Sequence, residues 1–219
     1  MTEKTKIIIL NGIGSVGKSS TAKALQSIAN EPFLHVQGDS FLEMMPGRWI
    51  GHPEGITFKT EKGAGSPIVS LEMGPALDQV WRGMRRAIAA MATAGNNLIV
   101  DDMMMSVADQ RDYQDVLGGF DVKFIGLFAP LEVLEQRERD RKDRMIGLAR
   151  WQYDKVHKGI AYDLKIETSD HDPKTCAVGR RAAVTAQPEP GARRVSAARG
   201  AARRRRLVAA SERRAVRSG

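Results

Sequence analysis

Residues 6–20 read KIIILNGIGSVGKSS, and no other stretch restricts the fold of the chain as much. Four consecutive aliphatic residues, Ile7 to Leu10, suit a strand covered on both faces. The nine residues from Gly12 to Ser20 then hold three glycines, a lysine and three hydroxyls. Gly12, Gly17, Lys18 and Ser19 fit the spacing G-x-x-x-x-G-K-[ST]. Glycine lets the backbone turn tightly enough for successive N–H groups to face phosphate oxygens, and a following helix adds the positive end of its dipole. Residues 18–29 supply that helix, with Ala22, Leu25 and Ile28 at helical spacing. Strand, glycine loop and helix in succession make Gly12, Ile13, Gly14, Ser15, Val16, Gly17, Lys18, Ser19 and Ser20 the expected cradle for the phosphates of ATP. Within it, Lys18 offers a mobile charge to the β- and γ-phosphates and Ser19 a hydroxyl to Mg²⁺.

The rest of the chain repeats the alternation of apolar run and amphipathic segment. Strands are expected at 33–39, 96–102, 121–130 and 161–169, the last at a sheet edge. Helices are expected at 40–45, ended by Pro46, at 71–94 and at 131–144. Residues 47–66, rich in Gly and Pro and without periodicity, read as a long functional loop. Strands separated by helices pair in parallel through right-handed crossovers, and such sheets bind ligands at the carboxyl ends of their strands. Those ends carry the glycine loop, Asp39, Asp101–Asp102, Pro130 and the turn TSDHD.

Charge separates the chain into two parts. Of its 34 basic and 26 acidic residues, 12 Arg and 2 acids fall in residues 176–219. Residues 1–175 keep 22 basic and 24 acidic residues and are nearly neutral. The expected division is a domain over 1–177 and an Arg/Ala-rich, disordered tail over 178–219, too poor in apolar surface to fold alone. Such a tail is either an RNA- or DNA-binding arm or the product of a shifted reading frame in GC-rich coding sequence. The second is favoured, because no aromatic residue interleaves the arginines. Nucleic acid is therefore an expected partner only through the tail. The single cysteine, Cys176, permits no internal disulfide, which suits the cytoplasm. The apolar run at the N-terminus is too short for a signal peptide or a membrane span.

Three features narrow the phosphate chemistry. The guanine-reading N-K-x-D is absent, and the chain has no room for a second large domain. Asp101 and Asp102 close an apolar strand, where a partner for the metal is expected. Asp39, at the end of another strand, could accept the proton of an attacking hydroxyl or cap the helix that follows; the two roles can coexist, with Ser40 capping. Arg137, Arg141 and Arg144 fall at i, i+4 and i+7 and would share one helix face, where they repel unless an anion lies between them. A triphosphate is such an anion, and planar guanidinium suits it.

IILNGIGSVGKSSTAKALQS, GDSFLEMMP, LIVDDMMM and RERDRKDRMIGLARWQYDKVHKGIAYDLKIETS together resemble the chloramphenicol phosphotransferase family, over residues from about 6 to about 175. The resemblance implies a three-layer α/β P-loop kinase fold with a five-stranded parallel sheet. It implies an enzyme that passes a phosphoryl group from ATP to a hydroxyl of a small molecule, chloramphenicol among the candidates. It also implies that Asp39 is the base and that Arg137, Arg141 and Arg144 belong to a lid. Met44, Met45, Trp49 and Met103–Met105 are expected to make an adaptable apolar acceptor pocket. The adenine is expected between the lid helix and residues 168–173. Other kinases of small molecules or nucleotides on the same frame, and a nucleic-acid-binding ATPase using the tail, are the alternatives.

Overall fold

The computed structural model describes residues 4–62, 67–141 and 145–169. Its centre is β1 (Lys6–Asn11), flanked by β5 (Asn97–Asp102) and β6 (Asp121–Phe128). β2 (Phe33–Gln37) pairs outside β5, and β7 (Leu164–Glu167) closes the far edge beside β6. All four pairings are parallel, in the order β2-β5-β1-β6-β7.

Strand periodicity divides the aliphatic run of β1 between two cores. Ile8 and Leu10 pack with α1 (Lys18–Ile28), α5 (Leu131–Asp140) and α6 (Leu148–Tyr153), through Leu25, Leu134 and Ala149. Ile7 and Ile9 pack on the other face with α3 (Pro75–Thr93) and α4 (Val107–Leu117), through Met84, Ile88, Tyr113 and Leu117. All four β1 side chains are at most 4% exposed, each worth roughly 1.5–3 kcal/mol of burial, so the strand is the keel of a three-layer α/β domain. Among the described residues no helix is long and apolar enough to cross a membrane.

Several elements depart from expectation. Residues 56–73, read as the end of a loop and the start of a helix, form an antiparallel hairpin of β3 (Ile56–Lys62) and β4 (Pro67–Met73). Ile56 faces Met73 and Phe58 faces Leu71 across it, so period two, not 3.6, governs these residues. Helix α3 begins only at Pro75, whose fixed φ and missing N–H suit the first helical position. β2 stops at Gln37, and Gly38–Glu43 form the short helix α2. Helix α4 had no counterpart in the sequence reading, although Ser106 and Asp109 form a capping box at its start.

The helix expected over 131–144 ends at Asp140, and Arg141 is extended at φ −93°, ψ 116°. The buried carboxylate of Glu138 explains the stop. It accepts the N–H groups of Gly147 at 2.7 Å and Ala149 at 2.9 Å, at the start of α6. A helix continued to residue 147 would carry it roughly 13 Å along the axis from Glu138. The chain must leave the helix to make these bonds. The single arginine face therefore does not form: Arg137 is helical, Arg141 is not, and Arg144 lies outside the described residues, as does the tail.

Candidate active site

The glycine loop joins β1 to α1. Gly17 takes φ 97° at the N-terminus of α1, a left-handed conformation that side chains resist. A Cβ on Gly12 would stand 2.7 Å from Val16 Cγ1 and 2.9 Å from the Leu127 carbonyl oxygen, so the loop can close on β6 only with glycine there. Lys18 folds back over the loop: its Nζ donates to the carbonyls of Gly12 at 2.8 Å and Ile13 at 3.2 Å and lies 4.0 Å from Asp101 Oδ1. The hydroxyl of Ser19 donates to Asp101 Oδ2 at 2.5 Å.

Asp101 and Asp102 are neighbours on a strand and serve opposite faces. Asp101 meets Ser19 and Lys18, with His35 Nε2 3.7 Å away. Burial works to raise its pKa, but the imidazole of His35, the ammonium of Lys18 and the hydroxyl of Ser19 outweigh burial and hold the carboxyl below its ordinary range. Asp102 instead accepts the Tyr113 hydroxyl at 2.8 Å and the Met103 N–H at 2.7 Å, and burial pushes its carboxyl up. The paired acids of the sequence are thus unlike in structure: one stands beside the phosphate loop, the other is engaged with α4.

Asp39 is exposed in the first turn of α2. The helix is flanked at its start by Gln37 and has no side-chain cap bond, so neither Asp39 nor Ser40 is its cap. Asp39 lines the same cavity as residues 14–21 of the loop and helix. Arg137 and Arg141 line it too. Arg137 donates to the Thr168 hydroxyl at 3.2 Å and to its carbonyl at 2.8 Å. The Thr168 hydroxyl in turn reaches the carbonyls of Val16 at 3.0 Å and Phe128 at 3.1 Å, tying the arginine, the loop and β6 together.

This cavity measures about 590 Å³. Beyond Asp39 its wall is apolar, made by Leu42, Ile56, Phe58, Leu71, Met73, Leu77 and Trp81 with Met103 and Met105. The pocket expected from sequence is corrected here. Met103 and Met105 belong to it, but Met104 is in the core, Met44 is 71% exposed, and Met45 and Trp49 do not line it. The hairpin takes their place, because its cross-strand pairs carry one apolar face into the cleft. Among the described residues, the cations lining the cavity are Lys18, Arg137 and Arg141. Residues 170–173 of the expected adenine site lie outside the described residues.

Beneath the loop, Asn11 at the end of β1 is fully buried. Its amide donates to the Val156 carbonyl at 3.1 Å and the Tyr162 hydroxyl at 2.6 Å, and its carbonyl oxygen accepts the Met104 N–H at 2.8 Å. The Tyr162 hydroxyl is 2.7 Å from His157 Nδ1, and the His157 ring stacks on Phe128. Burial raises Tyr162 to about 12 and lowers His157 to about 4, so both are neutral at pH 7. The sequence reading missed this floor, and also His35, Glu138 and Gln152. His157 lay in a segment given no element, and Tyr162 at the start of the strand expected over 161–169, which begins only at Leu164.

Residues 5–185 match the family model described as chloramphenicol phosphotransferase-like protein. Two Mycobacterium tuberculosis proteins, both named "Putative O-phosphotransferase" (MT2714 of strain CDC 1551 and Rv2636 of strain H37Rv), are 31% identical over 169 residues, 75% of this chain and 75% of each relative. Among solved structures, a sugar kinase from Janibacter superposes at TM-score 0.59 and 16% identity, covering 81% of this chain and 92% of that one. The Mycobacterium tuberculosis APS kinase CysC, solved with AMPPNP and APS, superposes at 0.58 and 12%, covering 83% and 98%. A tunicamycin resistance protein of Deinococcus radiodurans superposes at 0.56 and 20%, covering 83% and 96%. These likenesses show a P-loop kinase fold. With the match spanning the glycine loop, both acids and the arginine helix, the chain belongs to the chloramphenicol phosphotransferase-like family.

Proposed function

We propose that this chain transfers the terminal phosphoryl group of ATP to a hydroxyl of an uncharged, largely apolar small molecule. The observation that carries the reading is the two-ended cavity, with phosphate-gripping groups at one end, an apolar wall at the other, and Asp39 lining the same space.

The loop N–H groups and the start of α1 bind the phosphates. Lys18 exchanges its carbonyl partners, Gly12 and Ile13, for phosphate oxygens, since a charged acceptor outcompetes a neutral one. Arg137, braced by Thr168, and Arg141 stabilise charge on the migrating group. Ser19 and Asp101, 2.5 Å apart, are hard oxygen donors of the kind that suits Mg²⁺, and they would hold it. When bound, that ion would neutralise charge shared between the phosphates. Asp102, engaged by Tyr113, is assigned no metal role. Asp39 orients the acceptor hydroxyl and takes its proton as the new phosphate ester bond forms.

The acceptor class follows from the wall. An anionic acceptor, such as a nucleoside monophosphate, needs its own cations. Among the described residues the cations lining the cavity are Lys18, Arg137 and Arg141, and this reading assigns all three to the donor. Labelled ATP incubated with a panel of neutral aromatic alcohols including chloramphenicol, sugars and nucleoside monophosphates tests the proposal. Label is expected on an uncharged apolar alcohol. Transfer to a sugar or a nucleotide instead would overturn the acceptor class, and no transfer to any member of the panel would overturn the reading.

A further inference from the structure

Gln152 stands at the phosphate loop without belonging to it. It is carried by α6, is 2% exposed, and lines the cavity with Lys18 and Arg137. Its Oε1 accepts the N–H of Gly14 at 2.9 Å. That bond fixes the carboxamide, because only the oxygen end can receive an N–H. The Nε2 end, with two N–H donors, is then set beside the loop and has no partner among the described residues. With its oxygen end fixed, the nitrogen end keeps two donors that a ligand in the cavity can take up.

α6 is itself held at both ends. At its start, Glu138 accepts Gly147 and Ala149, and the Gly147 carbonyl accepts the Val69 N–H of β4 at 3.1 Å. At its end, the Gln152 carbonyl accepts the N–H groups of Lys155 at 2.9 Å and Val156 at 3.1 Å, and the Val156 carbonyl accepts Asn11. The side chain is therefore placed by the scaffold before any ligand arrives.

We infer that Gln152 is a further ligand-contacting residue, whose Nε2 donates to an oxygen of the terminal phosphate of the bound nucleotide. The carboxamide takes up one loop N–H and returns two donors in its place. It adds a neutral contact to the positive ones from Lys18 and Arg137, and so helps to discriminate a triphosphate from a diphosphate. This inference rests on the phosphotransferase reading above, but its test needs no acceptor.

The test measures binding of β,γ-methylene ATP and of ADP, each with Mg²⁺, to the wild-type chain and to Gln152→Ala and Gln152→Glu, with Tm recorded for each protein. Gln152→Ala is expected to weaken the triphosphate analogue about tenfold and ADP less than twofold. Gln152→Glu keeps an acceptor for Gly14 but has no donor and adds negative charge, so it is expected to weaken the analogue further at near wild-type Tm. Equal weakening of both ligands, with a fall in Tm that Gln152→Glu restores, would make the residue a purely structural brace and overturn the inference. Unchanged affinities would also overturn it. If Gln152→Ala does not fold, Gln152→Glu decides alone: an analogue-to-ADP ratio equal to wild type would overturn the inference. Failure of the wild-type chain to bind either nucleotide would be a different result, removing the phosphotransferase reading and this inference with it.

Discussion

The two ends of the cavity are built on opposite plans. At the phosphate end, polar groups are tied to several others: Thr168 to Arg137, Val16 and Phe128, Asp101 to Ser19 and Lys18, and Asn11 to Val156, Tyr162 and Met104. At the other end the lining is made of apolar side chains from α2, α3, the hairpin and the segment after β5. A backbone bond from the Val69 N–H to the Gly147 carbonyl ties β4 to the start of α6. Hydrogen bonds are directional, and a network of them holds charges within the narrow geometry that phosphoryl transfer needs. Apolar contact is not directional, and Met73, Met103 and Met105 can repack around different shapes. In the reaction proposed above, the contrast would separate a fixed chemistry from an adjustable choice of acceptor.

Asp39 sits where the two plans meet, and its removal is expected to have the largest effect. Asp39→Ala should reduce transfer to the acceptor roughly 10²- to 10⁴-fold, the range for losing a general base, while nucleotide affinity changes little. Transfer at near wild-type rate would make Asp39 an ordinary exposed acid of α2. A smaller effect is expected at the wall. Phe58 is half-buried in the hairpin, so Phe58→Ala should raise the KM for the acceptor about tenfold, leave the KM for ATP within twofold, and leave Tm nearly unchanged. Equal changes in both KM values would show that the two ends are not separable.

The smallest effect concerns the floor of the phosphate end. Burial holds His157 at about 4, against about 6.5 for an unperturbed histidine. Between those values the unfolded chain binds a proton that the folded chain refuses. The contribution to stability is therefore full above about pH 6.5 and is lost as pH falls toward 4. Urea midpoints at pH 7.5 and pH 5.0 should fall more for the wild-type chain than for His157→Asn. Equal falls would place the pH sensitivity elsewhere.

The phosphate end was the more legible in sequence because its constraints are local. A strand, a loop and a helix in one stretch of 23 residues position Gly12 to Ser20, and their chemistry depends on spacing along the chain. Asp101, named from a strand end, and Arg137, named from a helical segment, both line the cavity, and those are local features too. The acceptor wall was not legible. Ile56 and Phe58 acquire their place in the cavity by pairing with Met73 and Leu71, some 13 to 17 residues away, and the glycines of the intervening sequence hid the alternation. Leu71 was drawn into the helix read from Leu77, Val80, Met84 and Ile88, although the six residues from Leu71 to Leu77 are about 1.7 turns and take it off their face.

The sequence alone determined the buried parallel sheet and the phosphate loop at the carboxyl end of its central strand. Apolar runs, glycine spacing and helical periodicity act over a few residues, so they can be read without knowing what lies nearby in space. Tertiary structure decided which of two adjacent acids meets Ser19, where the arginine helix ends, what lines the acceptor side, and that Gln152 reaches Gly14. Each of these depends on groups distant in the chain satisfying buried hydrogen bonds or apolar faces. No local pattern records which partner a buried polar group will find.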